Sequence, residues 1–197
     1  MKPAGTGLAV NYSDMYTEGE KMAVERTVAI PSGVSVTKEE STLKVTGPKG
    51  DLQREMWYPG IEITVGSEDV RFETKAHKKA VTAMVGTLAS HCSNMCSGVS
   101  KGYIYGMKVV YSHFPIQIKV VGDRLEIVNF LGEKHPRYAK ILPGTTVKVG
   151  NDEVTVTGID KEVVGSTAAN IERATRIRKR DPRVFQDGIY IITRGVQ

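Results

Sequence analysis

The chain has 197 residues, 40% hydrophobic and 25% charged, with a formal net charge of +5; this is an ordinary globular composition, long enough for one or two domains. No apolar run approaches the roughly 18 to 20 residues that span a bilayer, and no secretory leader opens the chain, so no membrane partner and a cytoplasmic location are expected. Cys92 and Cys96 lie beside His91, but His77, His113 and His135 are scattered singly, so no second close ligand pair follows at zinc-finger spacing.

Residues 1–21 carry three glycines, show no sustained periodicity, and read as a flexible N-terminal extension, with Met22 as an alternative natural start. Regular strand signals begin after it. Short alternating segments at Val34–Val36, Leu43–Val45, Ile61–Val65 and Val70–Phe72 are separated by turn residues, among them Gly47-Pro48-Lys49-Gly50 and Pro59-Gly60. The period then lengthens: Ala76, Ala80, Val81, Met84, Val85 and Leu88 make one apolar stripe, predicting a helix of about four turns. Cys92 and Cys96 lie in a helix-like or helix-exit stretch beyond it and read first as buried structural thiols, with metal or redox roles as alternatives. Ile104–Tyr111 reads as a returning strand that closes the first unit.

The same order then recurs. Phe114, Ile116, Ile118 and Val120 alternate, and Leu125–Val128, Val147–Val149 and Val154–Val156 supply further strands. Asp160 is placed to cap a helix whose stripe is Val163, Val164, Thr167, Ala168 and Ile171, and Gly188–Ile192 reads as a closing strand. The recurrence is visible residue by residue. Pro59-Gly60-Ile61-Glu62-Ile63-Thr64-Val65-Gly66 returns 84 residues later as Pro143-Gly144-Thr145-Thr146-Val147-Lys148-Val149-Gly150. Such a period is about twice that of a solenoid repeat, so each copy is long enough to be a small domain. The expected fold is α+β: two tandem homologous domains at 22–111 and 112–197, each a small antiparallel sheet packed with one main helix.

Charge separates the copies. Between Glu172 and Arg183 lie Arg173, Arg176, Arg178, Lys179, Arg180 and Arg183 against only Glu172 and Asp181, so twelve residues hold +4 of the total charge. The 84-residue offset sets the nearly neutral stretch His91–Gly102 opposite this run. A helix C-terminus favours one or two cations. Six crowded cations point to an anionic partner, with a solvated loop as the bland alternative. Aromatic residues near the run are few, Phe185 and Tyr190, which suits folded RNA held by its phosphates and 2′-hydroxyls better than stacked single strands. Gly47–Gly50 is a turn and not a phosphate-binding P-loop, because strand leads to strand there, although Lys49 could reach a phosphate from its tip. Ser35-Val36-Thr37-Lys38 matches an acyl-enzyme pattern without its companion motifs, and no acidic or histidine cluster is arranged for acid–base work. No enzymatic activity and no cofactor are expected.

Five ordered motifs carry a family resemblance: Leu43-x-Val45-x-Gly47-Pro48-Lys49-Gly50-x-Leu52; Met95-x-x-Gly98-Val99-x-x-Gly102-Tyr103; Tyr111-x-His113-Phe114-Pro115-Ile116; Asn129-Phe130-Leu131-Gly132-Glu133-Lys134; and Asp181-x-Arg183-x-Phe185-x-Asp187-Gly188-Ile189-Tyr190. From about Val28 to Gly195 the chain resembles the universal large-subunit ribosomal protein six family. It is similar to the archaeal and eukaryotic form, since Asp181–Gly188 stands where the bacterial branch has a lysine- and glycine-rich loop. The resemblance implies a non-catalytic constituent of the large subunit whose second domain binds large-subunit rRNA near the factor-binding region and stalk base. Its implied partners are that rRNA, neighbouring large-subunit and stalk-base ribosomal proteins, and translation factors nearby. Its RNA contacts would fall here on Arg173, Arg176, Arg178, Lys179, Arg180 and Arg183, with Gly188 permitting close backbone approach and the loop ending at Lys134 as a second contact. A duplicated-domain adaptor that docks an acidic protein is the competing reading.

Overall fold

The computed structural model describes residues 24–76, 78–178, 180–181 and 183–196. The expected extension at 1–21, the alternative start at Met22, and Lys179 lie outside these residues. In chain order the strands are β1 (Val24–Ala29), β2 (Ser35–Glu39), β3 (Thr42–Gly47), β4 (Gly50–Glu55), β5 (Glu62–Val65) and β6 (Asp69–Thr74), before α1 (Lys79–Ser100). Then come β7 (Tyr103–Val110), β8 (Gln117–Val121), β9 (Arg124–Val128), β10 (Arg137–Lys140), β11 (Thr145–Val149), β12 (Glu153–Gly158), α2 (Lys161–Ala174) and β13 (Gly188–Val196).

These elements make two α+β units of one design. Each begins with a single strand, continues through a three-stranded meander and a two-stranded hairpin, and then enters its helix. The first unit has sheets β2-β3-β4 and β1-β6-β5 under α1; the second has β10-β9-β8 and β11-β12-β7-β13 under α2. All strand pairs are antiparallel, and the alternation of apolar and polar residues decides which face meets the helix. Val70 and Phe72 of β6, like Val154 and Val156 of β12, are completely buried, while Arg71 and Thr155 between them point away from the core.

Three expectations are corrected. The strand at Ile104–Tyr111 does not close the first unit. As β7 it is hydrogen-bonded between β12 and β13, in the place that β1 holds beside β6, so it opens the second unit. Packing agrees: Val99 belongs to the first core, whereas Tyr103, Met107 and Val109 belong to the second, so the cores divide between Val99 and Tyr103 and not at 111. The first helix is also longer than expected, at 22 residues, because its buried stripe runs on through Leu88, Cys92, Met95, Cys96 and Val99 with no proline to stop it. His91–Ser100 is therefore helix and no counterpart of the arginine-rich stretch. Cys92 and Cys96 are buried free thiols one turn apart inside this core. The hydrogen bond between them and burial together raise Cys92, keeping it a protonated packing group.

The units touch where α2 begins. Asp160 caps α2 as expected, its Oδ1 accepting from the Glu162 N–H at 2.8 Å. Just before it, the Ile159 carbonyl lies against Gly98 of α1 so closely that a Cβ there would stand 2.0 Å from the oxygen. Around this contact Glu162 pairs with Arg54 at 2.7 Å and lies 3.1 Å from His91 Nδ1, Lys161 donates to Asn94, and the Tyr103 hydroxyl donates to the Asn94 carbonyl. Two glycines of one helix thus predict opposite outcomes. Gly98→Ala forces the units apart and is expected to cost about 1–3 kcal/mol. Gly86→Ala, with open space over its Cβ position, is expected to stabilise by up to about 1 kcal/mol through helix propensity. Thermal denaturation of the two variants reads the sign of each change.

Candidate nucleic-acid interface

The arginine segment is built on the one strand that distinguishes the two units. In the first, α1 passes to the next strand through only Lys101 and Gly102. In the second, α2 leads into the excursion 175–187 and then into β13, which adds to the edge of β7. The base of the excursion is pinned by Thr175, a buried residue whose hydroxyl donates to the Glu172 carbonyl and accepts the Ile189 N–H at 3.1 Å. One side chain thus ends the helix and starts the strand.

Inside the excursion, Asp181 Oδ1 accepts the Arg183 N–H at 2.9 Å, and its carbonyl accepts from Val184 and Phe185, winding a tight turn. Arg180 lies over the Phe185 ring, 4.9 Å from its centroid. Arg173, on the last turn of α2, and Arg176, Arg178, Arg180 and Arg183 are all exposed. Among the described residues Arg173, Arg176 and Arg178 form no ion pair, and Arg183, 91% exposed, reaches Asp181 only at 3.8 Å. The charge of the run is left available to an outside anion.

A residue outside the sequence-predicted set holds this surface in place. Arg137, at the start of β10, grips the Glu133 carboxylate with two hydrogen bonds, Nε at 2.8 Å and a terminal nitrogen at 2.6 Å. Its other terminal nitrogen donates to the carbonyls of Ala174 and Arg176, at 3.0 and 3.1 Å, and the guanidinium stacks 4.2 Å from the centroid of buried Phe130. The planar fork of arginine suits this task, joining a carboxylate on one side to a helix C-terminus on the other. It brings the Asn129–Lys134 loop, the second expected contact, against the root of the arginine segment. That loop is sharply folded: Asn129, Leu131 and Gly132 have φ of 61°, 51° and 75°, and Asn129 Nδ2 donates to the Pro115 carbonyl. Lys134 is exposed at its end. The available signal for Arg137 was the opposite-charge spacing Glu133 to Arg137, obscured by the intervening His135 and Pro136.

Two other expected positions have neighbours within the protein. Lys49 sits on the β3–β4 turn, where its N–H donates to the Val99 carbonyl at 3.0 Å and its ammonium donates to the Lys101 carbonyl, so it caps α1 in the first unit, away from the second-unit segment. Gly188 is buried, and a Cβ on it would meet the Tyr190 ring at 3.0 Å. Within the protein the absence of a side chain admits the ring of Tyr190, whose hydroxyl donates to the Gln186 carbonyl.

The environment of Glu133 gives this assembly a pH signature. Hydrogen bonds from Arg137, together with the charges of Arg137 and Arg180, hold its carboxyl below the ordinary value of 4.5. A carboxylate with a depressed folded pKa contributes stability that is present above its unfolded pKa and is lost as pH falls through the folded value. Glu133→Gln should therefore lose less stability than wild type on acidification below about pH 4.5. Urea midpoints measured down this range check it.

The described residues contain no helix long and apolar enough to cross a membrane. The family model described as ribosomal protein L6 matches residues 30–102 and 114–188. The first stretch ends at the residue before β7. A large ribosomal subunit protein uL6 from Methanospirillum hungatei is 81% identical over 176 residues, covering 89% of this chain and all of that relative. The uL6 protein of Methanosarcina mazei is 52% identical over 172 residues, covering 87% of this chain and 98% of that one, and the uL6 protein of Ignicoccus hospitalis is 52% identical over 178 residues, covering 88% and 96%.

Proposed function

The chain belongs to the ribosomal protein L6 family, and from that membership we propose that it binds large-subunit rRNA through the pinned arginine segment of its second unit. It is a structural constituent of the large ribosomal subunit, in the cytoplasm, and serves translation without being an enzyme. The proposal concerns how it is held there. Arg173, Arg176, Arg178, Arg180 and Arg183 grip phosphates, Lys179 lies within the same run, and Lys134 extends the contact from the neighbouring loop. The observation that carries this reading is the concentration of exposed arginines on an excursion that the first unit lacks. Like charges crowded on an exposed segment repel one another, and a polyanion relieves that repulsion by replacing condensed counterions. The first unit then acts as an arm, docked through Gly98 and Arg54, that packs against neighbouring ribosomal proteins or RNA. Its position near the factor-binding region and stalk base is the expectation carried by the sequence resemblance.

Counterion release makes the proposal measurable. Log affinity for large-subunit rRNA should fall linearly with log salt, by roughly 0.7 to 0.9 for each phosphate neutralised. Arg176→Glu combined with Arg180→Glu should flatten that slope and impair incorporation into subunits. An unchanged slope together with unchanged incorporation would show that the segment is not the RNA grip, and transfer of binding to an acidic protein would favour the adaptor reading.

A further inference from the structure

Beside the C-terminus of α2 lies an open groove of about 410 Å³, lined by Arg137, Tyr138, Arg173, Ala174, Arg176 and Arg178. Its volume falls within the range of about 300 to 1,000 Å³ typical of small-ligand sites. The lining divides by chemistry. Three of the lining arginines, Arg173, Arg176 and Arg178, are exposed and form no ion pair among the described residues. Arg137 contributes a wall whose hydrogen bonds are already committed to Glu133, Ala174 and Arg176. Tyr138 supplies an aromatic ring that is 54% exposed, with its hydroxyl donating to Glu126 at 3.1 Å across the adjacent strand. That hydrogen bond restrains the ring and leaves apolar surface facing solvent.

A groove lined both by these unpaired arginines and by an exposed, restrained ring is complementary to one nucleotide, whose phosphate takes the cations and whose base takes the ring. Within an A-form duplex, bases are stacked inside and unavailable, so the complementary form is an unpaired residue in a loop or bulge. We propose that this groove holds a single unstacked nucleotide of the bound RNA, with its phosphate on Arg173, Arg176 and Arg178 and its base stacked on Tyr138. The inference rests on the RNA-binding function proposed for the arginine segment and adds a specific site to it. Tyr138 lies outside the arginine run and in a short strand just after Pro136, so local aromatic content around the run does not reveal it.

The test uses the full chain and large-subunit rRNA, from which the fragment protected by wild-type protein is recovered and resynthesised with single abasic positions. Stacking predicts that Tyr138→Ala weakens binding to the intact fragment by roughly ten-fold or more. Tyr138→Phe, which keeps the ring and loses the hydroxyl, should remain near wild type. One abasic position should weaken wild type to a similar extent and weaken Tyr138→Ala no further. Matching circular dichroism spectra and melting temperatures keep the comparison between folded proteins. If Tyr138→Ala and the abasic series leave affinity unchanged while Arg176→Glu reduces it, the nucleotide site is refuted and the phosphate grip stands. If Tyr138→Phe falls as far as Tyr138→Ala, the residue acts through Glu126 and the stacking role is refuted. If Arg176→Glu also changes nothing, the RNA-binding reading fails with it.

Discussion

Arg137 carries the geometry on which the second unit's exposed chemistry depends. Its guanidinium is shared between the Glu133 carboxylate, the carbonyls of Ala174 at the end of α2 and Arg176 just beyond it, and the face of Phe130. Those three groups come from a loop, a helix end and a buried core position, and one planar cation satisfies them together. A helix C-terminus leaves carbonyls without intrahelical partners and concentrates negative partial charge there. Arg137 meets that demand from within the protein, which frees Arg173 and Arg176 from folding back to do so. Its positive charge is consumed locally, while the charge of the run remains directed outward.

The duplicated scaffold explains why only one unit carries this chemistry. Both units bury an amphipathic helix on sheets of the same pairing, and both open with a strand that flanks the final hairpin. Their difference begins at the end of the helix. The end of α1 is covered by the β3–β4 turn through Lys49 and the chain proceeds directly into β7. The end of α2 is released into an excursion, and Thr175 and β13 return it to the sheet edge. An added edge strand therefore fixes both ends of an otherwise solvent-facing segment, reducing the entropy lost when the segment orders against a partner. Adding β13 to β7 also leaves the strand itself on the sheet edge, where Tyr190 and Ile192 are exposed.

Much of this architecture was legible in the sequence, for identifiable reasons. Strict alternation in Ile61–Val65 and Val154–Val156 declared half-buried strands, Asp160 declared the start of α2, and the Pro-Gly echoes declared the duplication. The boundary between units was harder to read. Tyr103–Val110 is a strand under either assignment, and only hydrogen bonding to β12 and β13 decides its sheet. Local periodicity contains no information about partners distant in the chain. The length of α1 was hidden because Ser90, His91, Ser93 and Asn94 interrupt the apolar stripe after Leu88, although Cys92, Met95, Cys96 and Val99 continue it on the buried face. Among the candidate site residues, the arginines announced themselves by density. Arg137 did not, because its significance arises from carbonyls 37 and 39 residues away, at Ala174 and Arg176. Tyr138 did not either, since its restraint comes from Glu126 across a strand pair. Gly188 and Lys49 were drawn from motifs correctly located in the fold, but both are engaged by neighbouring protein groups.

The central claim is that the rooted arginine excursion is the part of the molecule that meets RNA. Residue-to-nucleotide cross-linking within purified large subunits tests it most directly, since it observes contacts in the assembled particle. The account predicts that cross-links from the second unit concentrate on residues 173–183 and the neighbouring loop at 129–138, and that they fall on rRNA. Cross-links from these residues exclusively to protein, with RNA contacts confined to the first unit, would contradict it.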